Sequence, residues 1–106
     1  MARVRIYVSY QHETELRGLY IGGVSKNIEK YLARVQSRVH NIVSKVGGRV
    51  TYSEIKRRRG PRGERIAWIV VTARIPDYEV DSLRRHLEEL DREVPNIRIR
   101  AEVYPD

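Results

Sequence analysis

The chain has 106 residues, with 21 Lys plus Arg against 14 Asp plus Glu and a formal charge of +7 at neutral pH. A chain of this length closes one hydrophobic core without metal or disulfide staples, and the absence of cysteine removes disulfides, thiolate zinc sites and cysteine nucleophiles together. No stretch approaches the roughly 18 apolar residues of a membrane span, and Arg3-Val4-Arg5-Ile6 lacks the apolar run of a signal peptide, so the sequence reads as a single soluble, cytoplasmic domain over residues 1–106.

Residues 3–9 alternate strictly, with Val4, Ile6 and Val8 on one side and Arg3, Arg5, Tyr7 and Ser9 on the other, which predicts a half-buried strand. The glycine-bearing stretch 10–24 shows no sustained period. Ser25 stands where an N-cap would open a helix. At about 100° per residue, Ile28, Tyr31, Leu32, Val35, Val39, Ile42, Val43 and Val46 fall within an arc of roughly 120°, the stripe of a core-facing helix, and Gly47-Gly48 supplies its stop. Residues 49–56 and 65–75 predict two strands joined by a charged tip in which Gly60-Pro61 and Gly63 are turn residues. In the second of these strands Ala67, Ile69, Val71 and Ala73 share one face and Ile66, Trp68, Val70, Thr72 and Arg74 the other. With little polar alternation between its two faces, that strand belongs at the centre of a sheet. After Pro76, Asp77 is positioned to cap a second helix carrying Val80, Leu83, Leu87, Leu90 and Val94, which Pro95 ends. Ile97, Ile99, Ala101 and Val103 then alternate with Arg98, Arg100, Glu102 and Tyr104 as a last strand.

The order β-α-β-β-α-β resembles the ferredoxin-like arrangement, an α+β sandwich with a four-stranded antiparallel sheet and both helices on one face. That fold hosts many unrelated functions and does not choose among them.

Charge narrows the choice. Segments 25–46 and 47–65 carry +9 between them while 77–95 carry −4, so the positive charge is localised and fits an anionic polymer. The hairpin tip over 56–65 concentrates Lys56, Arg57, Arg58, Arg59, Arg62 and Arg65; on helix one, Lys30, Arg34, Arg38, Asn41 and Lys45 form a second basic strip. On the sheet face away from the helices the alternation places Arg3, Arg5, Tyr7, Arg98, Arg100 and Tyr104, with Trp68 and Arg74. Aromatic rings interleaved with arginine on an exposed sheet suit stacked, splayed bases. The sequence therefore predicts a small nucleic-acid-binding protein, RNA ahead of DNA, that contacts phosphate through the hairpin and helix one. It departs from RNA-recognition modules of this topology, because Arg62-Gly63-Glu64-Arg65-Ile66-Ala67-Trp68-Ile69 offers one ring where their third-strand signature has several. The rival for the open face is a homodimer centred on Ile66, Trp68 and Val70, either alongside nucleic-acid binding or as a homo-oligomeric small-ligand-binding or regulatory module assembled through that face.

Catalysis and cofactors are not expected. His12-Glu13-Thr14-Glu15 lacks the second histidine of a zinc-protease motif, since position 16 is Leu. His40 and His86 fall on different helices without clustered ligands. Acylphosphatases share the topology and use an Arg in the first loop with an Asn on a neighbouring strand; Arg17 resembles the first, but positions 49–55 hold no Asn. Arg supplies 17 of the 21 basic residues while Asn and Gln number five, a composition that suggests a thermophile, with GC-rich coding as the competing explanation.

Overall fold

A computed structural model describes residues 1–10, 22–61, 63 and 65–104, with the side chains of 22–27 and 65 left aside. The elements are β1 (Ala2–Tyr10), α1 (Gly22–Lys45), β2 (Arg49–Arg59), β3 (Arg65–Ile75), a single 3-10 turn (Asp77–Glu79), α2 (Val80–Glu93) and β4 (Ile97–Tyr104). The four strands form one sheet in the order β2-β3-β1-β4, every neighbouring pair antiparallel. This is the ferredoxin-like sandwich expected from the order of elements. Among the described residues no helix is long and apolar enough to cross a membrane.

The period-two patterns bury as expected. Val4, Ile6 and Val8 of β1 and Ile69, Val71, Ala73 and Ile75 of β3 pack with Leu32, Val35, Val39 and Val43 of α1 and Leu83, Leu87 and Leu90 of α2. Burial at this density makes each position sensitive to volume. Gly48 shows how tight the α1–β2 corner is, since a Cβ there would meet the Ile75 Cδ1 at 2.4 Å and the Arg74 carbonyl oxygen at 2.9 Å.

Three boundaries differ from the sequence reading. Helix α1 begins at Gly22, so Ser25 lies inside its first turns instead of capping it. Strand β2 runs on to Arg59, because Arg57, Arg58 and Arg59 continue the ladder opposite Ala67, Ile66 and Arg65 instead of entering the turn. Asp77 opens a 3-10 turn whose preceding residue is Pro76, with no side-chain cap on either this turn or α2; its carboxylate instead lies 3.6 Å from the N-terminal amine. Pro95 does end α2, where the Val94 N–H still bonds to the Leu90 carbonyl and Asn96 takes a left-handed φ of 65°.

One irregularity sets the surface of β2. Val50 pairs with Ala73 and Tyr52 with Thr72, leaving Thr51 as an extra residue, and the Thr51 hydroxyl donates to the Thr72 carbonyl at 3.2 Å. Val50 and Ile55, both packed on the core, are five apart, an odd spacing that strict alternation would send to opposite faces. The bulge reconciles them. It turns Ser53, Ile55 and Arg57 towards the helices and Tyr52, Glu54, Lys56 and Arg58 to the open face.

Candidate functional site

The pairing register arranges the open face as a lattice of four-residue rows. Read from β2 to β4, the rows are Arg49, Arg74, Arg3 and Tyr104; then Tyr52, Thr72, Arg5 and Glu102; then Glu54, Val70, Tyr7 and Arg100; then Lys56, Trp68, Ser9 and Arg98. Arg58 opposite Ile66 follows on β2 and β3. Among the described residues, eight basic side chains thus share this face with two carboxylates, Glu54 and Glu102, a field that attracts polyanions.

The β1–β4 half is internally stacked. Arg3 and Arg5 lie over the Tyr104 ring, 5.2 and 5.8 Å from its centroid, and Arg100 lies over Tyr7 at 4.7 Å, all within cation–π range. Tyr104 donates to Glu102 at 2.5 Å, and this bond holds its phenol above its ordinary pKa. The Arg5 guanidinium is likewise held above its usual value, chiefly by its hydrogen bond with Tyr7.

The β2–β3–β1 half is hollow. Arg5, Tyr7, Tyr52, Lys56, Trp68, Val70 and Thr72 line a cleft of about 330 Å³. Val70 and Thr72 form its buried floor, 7% and 9% exposed. The Tyr52 hydroxyl donates to Glu54, which fixes that ring as a wall and raises its pKa. Among the described residues, guanidinium groups stack on Tyr7 and Tyr104 and none stacks on Trp68 or Tyr52.

The basic residues singled out in the sequence are divided by the fold. Arg3, Arg5, Tyr7, Lys56, Arg58, Trp68, Arg98 and Arg100 share the open face. Arg57 turns the other way and grips Glu29 of α1 with two bonds of 2.8 and 3.1 Å, which holds its guanidinium above the usual pKa. Arg59 donates to the Gly63 carbonyl at 3.0 Å and so closes the hairpin tip. Lys30, Arg34, Arg38 and Lys45 lie on exposed α1, in the opposite layer. Arg38 is engaged there, its guanidinium paired with Glu93 of α2 at 2.8 and 3.0 Å. The chain at Arg65 opens β3, and Arg62 lies outside the described residues, as do Arg17 and the His12 segment.

The Arg38 guanidinium lowers the Glu93 carboxyl below its ordinary value of 4.5. A depressed carboxyl stabilises the fold above that ordinary value and loses its contribution as pH falls through the folded one. Glu93→Gln is therefore expected to lower Tm at pH 7, by at most a few degrees for so exposed a pair, with a smaller gap from the wild type at an acid pH well below 4.5. An equal gap at both pH values would show that the bidentate pair is not the cause.

Tyr52 and Arg49 join the site although the charge pattern does not single them out, and Thr72, which shares the Trp68 face by alternation, joins it through its place beside Tyr52; for Tyr52 the sequence signal is the odd Val50–Ile55 spacing, which implies the bulge. The charge pattern does not single out His40 either. Its Nε2 lies 2.7 Å from the Ser53 Oγ, which also accepts from Gln36 Nε2 at 2.7 Å. The three pin β2 to α1. Among the described residues no group of three or more His, Asp or Glu side chains is placed to hold a metal ion.

Among solved structures, the de novo designed protein Foldit4 is similar to this chain with a TM-score of 0.56 at 15% identity, covering 99% of this chain and 97% of that one. The 30S ribosomal protein S6 from Thermotoga maritima is similar with a TM-score of 0.54 at 14% identity, covering 98% and 89%. No protein-family model matches the chain, and no curated protein matches it. The chain is thus similar in fold to a ribosomal protein and to a designed one, and at these identities the likeness is one of fold alone.

Proposed function

We propose that the protein binds single-stranded nucleic acid, RNA ahead of DNA, on its open sheet face, with the hairpin extending the phosphate track. The observation that carries this reading is the lattice itself, eight cations around rings that include an uncapped Trp68 beside a cleft. Flat aromatic walls add nothing to a pure anion site, and cations at the rim are costly for an apolar ligand; a nucleic-acid strand satisfies both. RNA is favoured because its unpaired loops and ends present splayed bases to a sheet of this kind. The fold shared with a ribosomal protein is compatible with that preference. A second copy is the poorer occupant, since face-to-face pairing would set like-charged arginine rows against one another. Arg57 and Arg38, held in bidentate pairs, contribute less than Lys56 and Arg58.

The test is a polarisation titration with a generic single strand and a duplex of the same length. Tighter binding of the single strand is expected, and Trp68→Ala weakens it by about 1–3 kcal/mol, the worth of one stacked base, with the sedimentation mass unchanged. Duplex preference untouched by Trp68→Ala would overturn the reading, and a fall in mass towards half would return the face to a dimer.

A further inference from the structure

The cleft floor contains a hydroxyl that no protein group engages among the described residues. Thr72 is 9% exposed and, paired opposite Tyr52 and Arg5, directs its side chain to the open face. Its carbonyl accepts from Thr51, but among the described residues its hydroxyl has no hydrogen-bond partner. Buried hydroxyls are nearly always paired. This one lines the cleft, so a group entering from the open side would satisfy it.

The remaining lining defines what that group belongs to. Val70, 7% exposed, gives an apolar floor for a flat ring, with Trp68 and Tyr52 on its flanks. Arg5 and Lys56 enter from opposite sides of the floor, one from β1 and one from β2, and no carboxylate is among the described lining residues. At about 330 Å³ the cleft lies at the small end of ligand sites and has room for one base with its sugar phosphate.

We propose that the cleft is a single-nucleotide subsite, in which a base rests on Val70 against Trp68, its phosphate is held by Arg5 and Lys56, and the Thr72 hydroxyl bonds to the sugar or base edge. The subsite rests on the reading of the face as a nucleic-acid platform and gives that platform one fixed register. The β1–β4 half, where guanidinium groups already cover Tyr7 and Tyr104, then carries backbone phosphate and not stacked bases.

Trp68 is the only tryptophan, so its emission reports this site alone. Ribonucleoside 5′-monophosphates are expected to quench it saturably, with Kd on the order of 1 mM, whereas inorganic phosphate at the same concentration neither quenches nor competes. Thr72→Val, which removes the hydroxyl and keeps the shape, is expected to raise Kd roughly 3- to 10-fold; a thermal melt matching the wild type confirms that its fold is intact. The 2′-deoxy monophosphates separate the two partners of Thr72: if they bind wild type and Thr72→Val alike, the hydroxyl contacts the ribose 2′-OH, and if the difference persists it contacts the base. Absent quenching, equal competition by phosphate, or Kd unchanged in Thr72→Val for both sugars would each overturn the subsite. An oligonucleotide arm keeps the readings apart. Tight oligonucleotide binding with no mononucleotide effect removes the subsite and leaves the platform, while mononucleotide quenching without oligonucleotide binding removes the platform and leaves a nucleotide site.

Discussion

Replacing Arg5, Lys56, Arg58 and Arg98 together by alanine is expected to lower single-strand affinity about a hundredfold near physiological salt and to flatten the slope of log K against log salt by about 3 units. Each phosphate contact to a single strand releases counterions worth a slope of about −0.7, and these four side chains lie along one face from β4 to β2. The control is Arg57→Ala. Its guanidinium is already held by Glu29 on the helix side, so removing it should change the slope by well under one contact. A larger effect from Arg57 than from Arg58 would move the strand off the sheet and onto the helix layer.

Ile69→Ala is expected to destabilise the fold by about 2–5 kcal/mol, lowering Tm by more than about 10 °C for a domain of this size. Ile69 is fully buried, in the core cluster between the sheet and the helices, and the lost methyl groups leave a cavity that packed neighbours fill only in part. Trp68, its neighbour in β3, faces the other way. Trp68→Ala should therefore cost little stability while weakening binding, and Ile69→Ala should do the reverse while the protein remains folded. Denaturant unfolding and strand titration of the two variants measure this separation. A Trp68→Ala loss of stability as large as that of Ile69→Ala would invert the facing of β3 and remove the rings from the site.

The local chemistry of the sequence determined the order of elements, the buried stripe of α1 and the facing of β1, β3 and β4. In each case one periodicity within one segment suffices: Val4, Ile6 and Val8 cannot be buried unless Arg3, Arg5 and Tyr7 are turned away. Only the tertiary structure decided what lies beyond one segment. The turn composition of Gly60-Pro61 marked a hairpin but not its length, and Arg57, Arg58 and Arg59 joined β2 because residues 65–67 were there to pair with them. A density of arginines in the sequence could not show that Arg57 would meet a carboxylate 28 residues away or Arg38 one 55 residues away, since ion pairing depends on which helix packs beside which strand. The cleft needed most from the fold. Arg5, Lys56, Trp68 and Thr72 come from three strands, and they converge only in the register that pairs β1 with β3 and, past the bulge at Thr51, β3 with β2. Periodicity sets which side of its own strand a residue occupies, whereas register between strands is set by contacts distant in the chain, and a binding site assembled across strands is a property of that register.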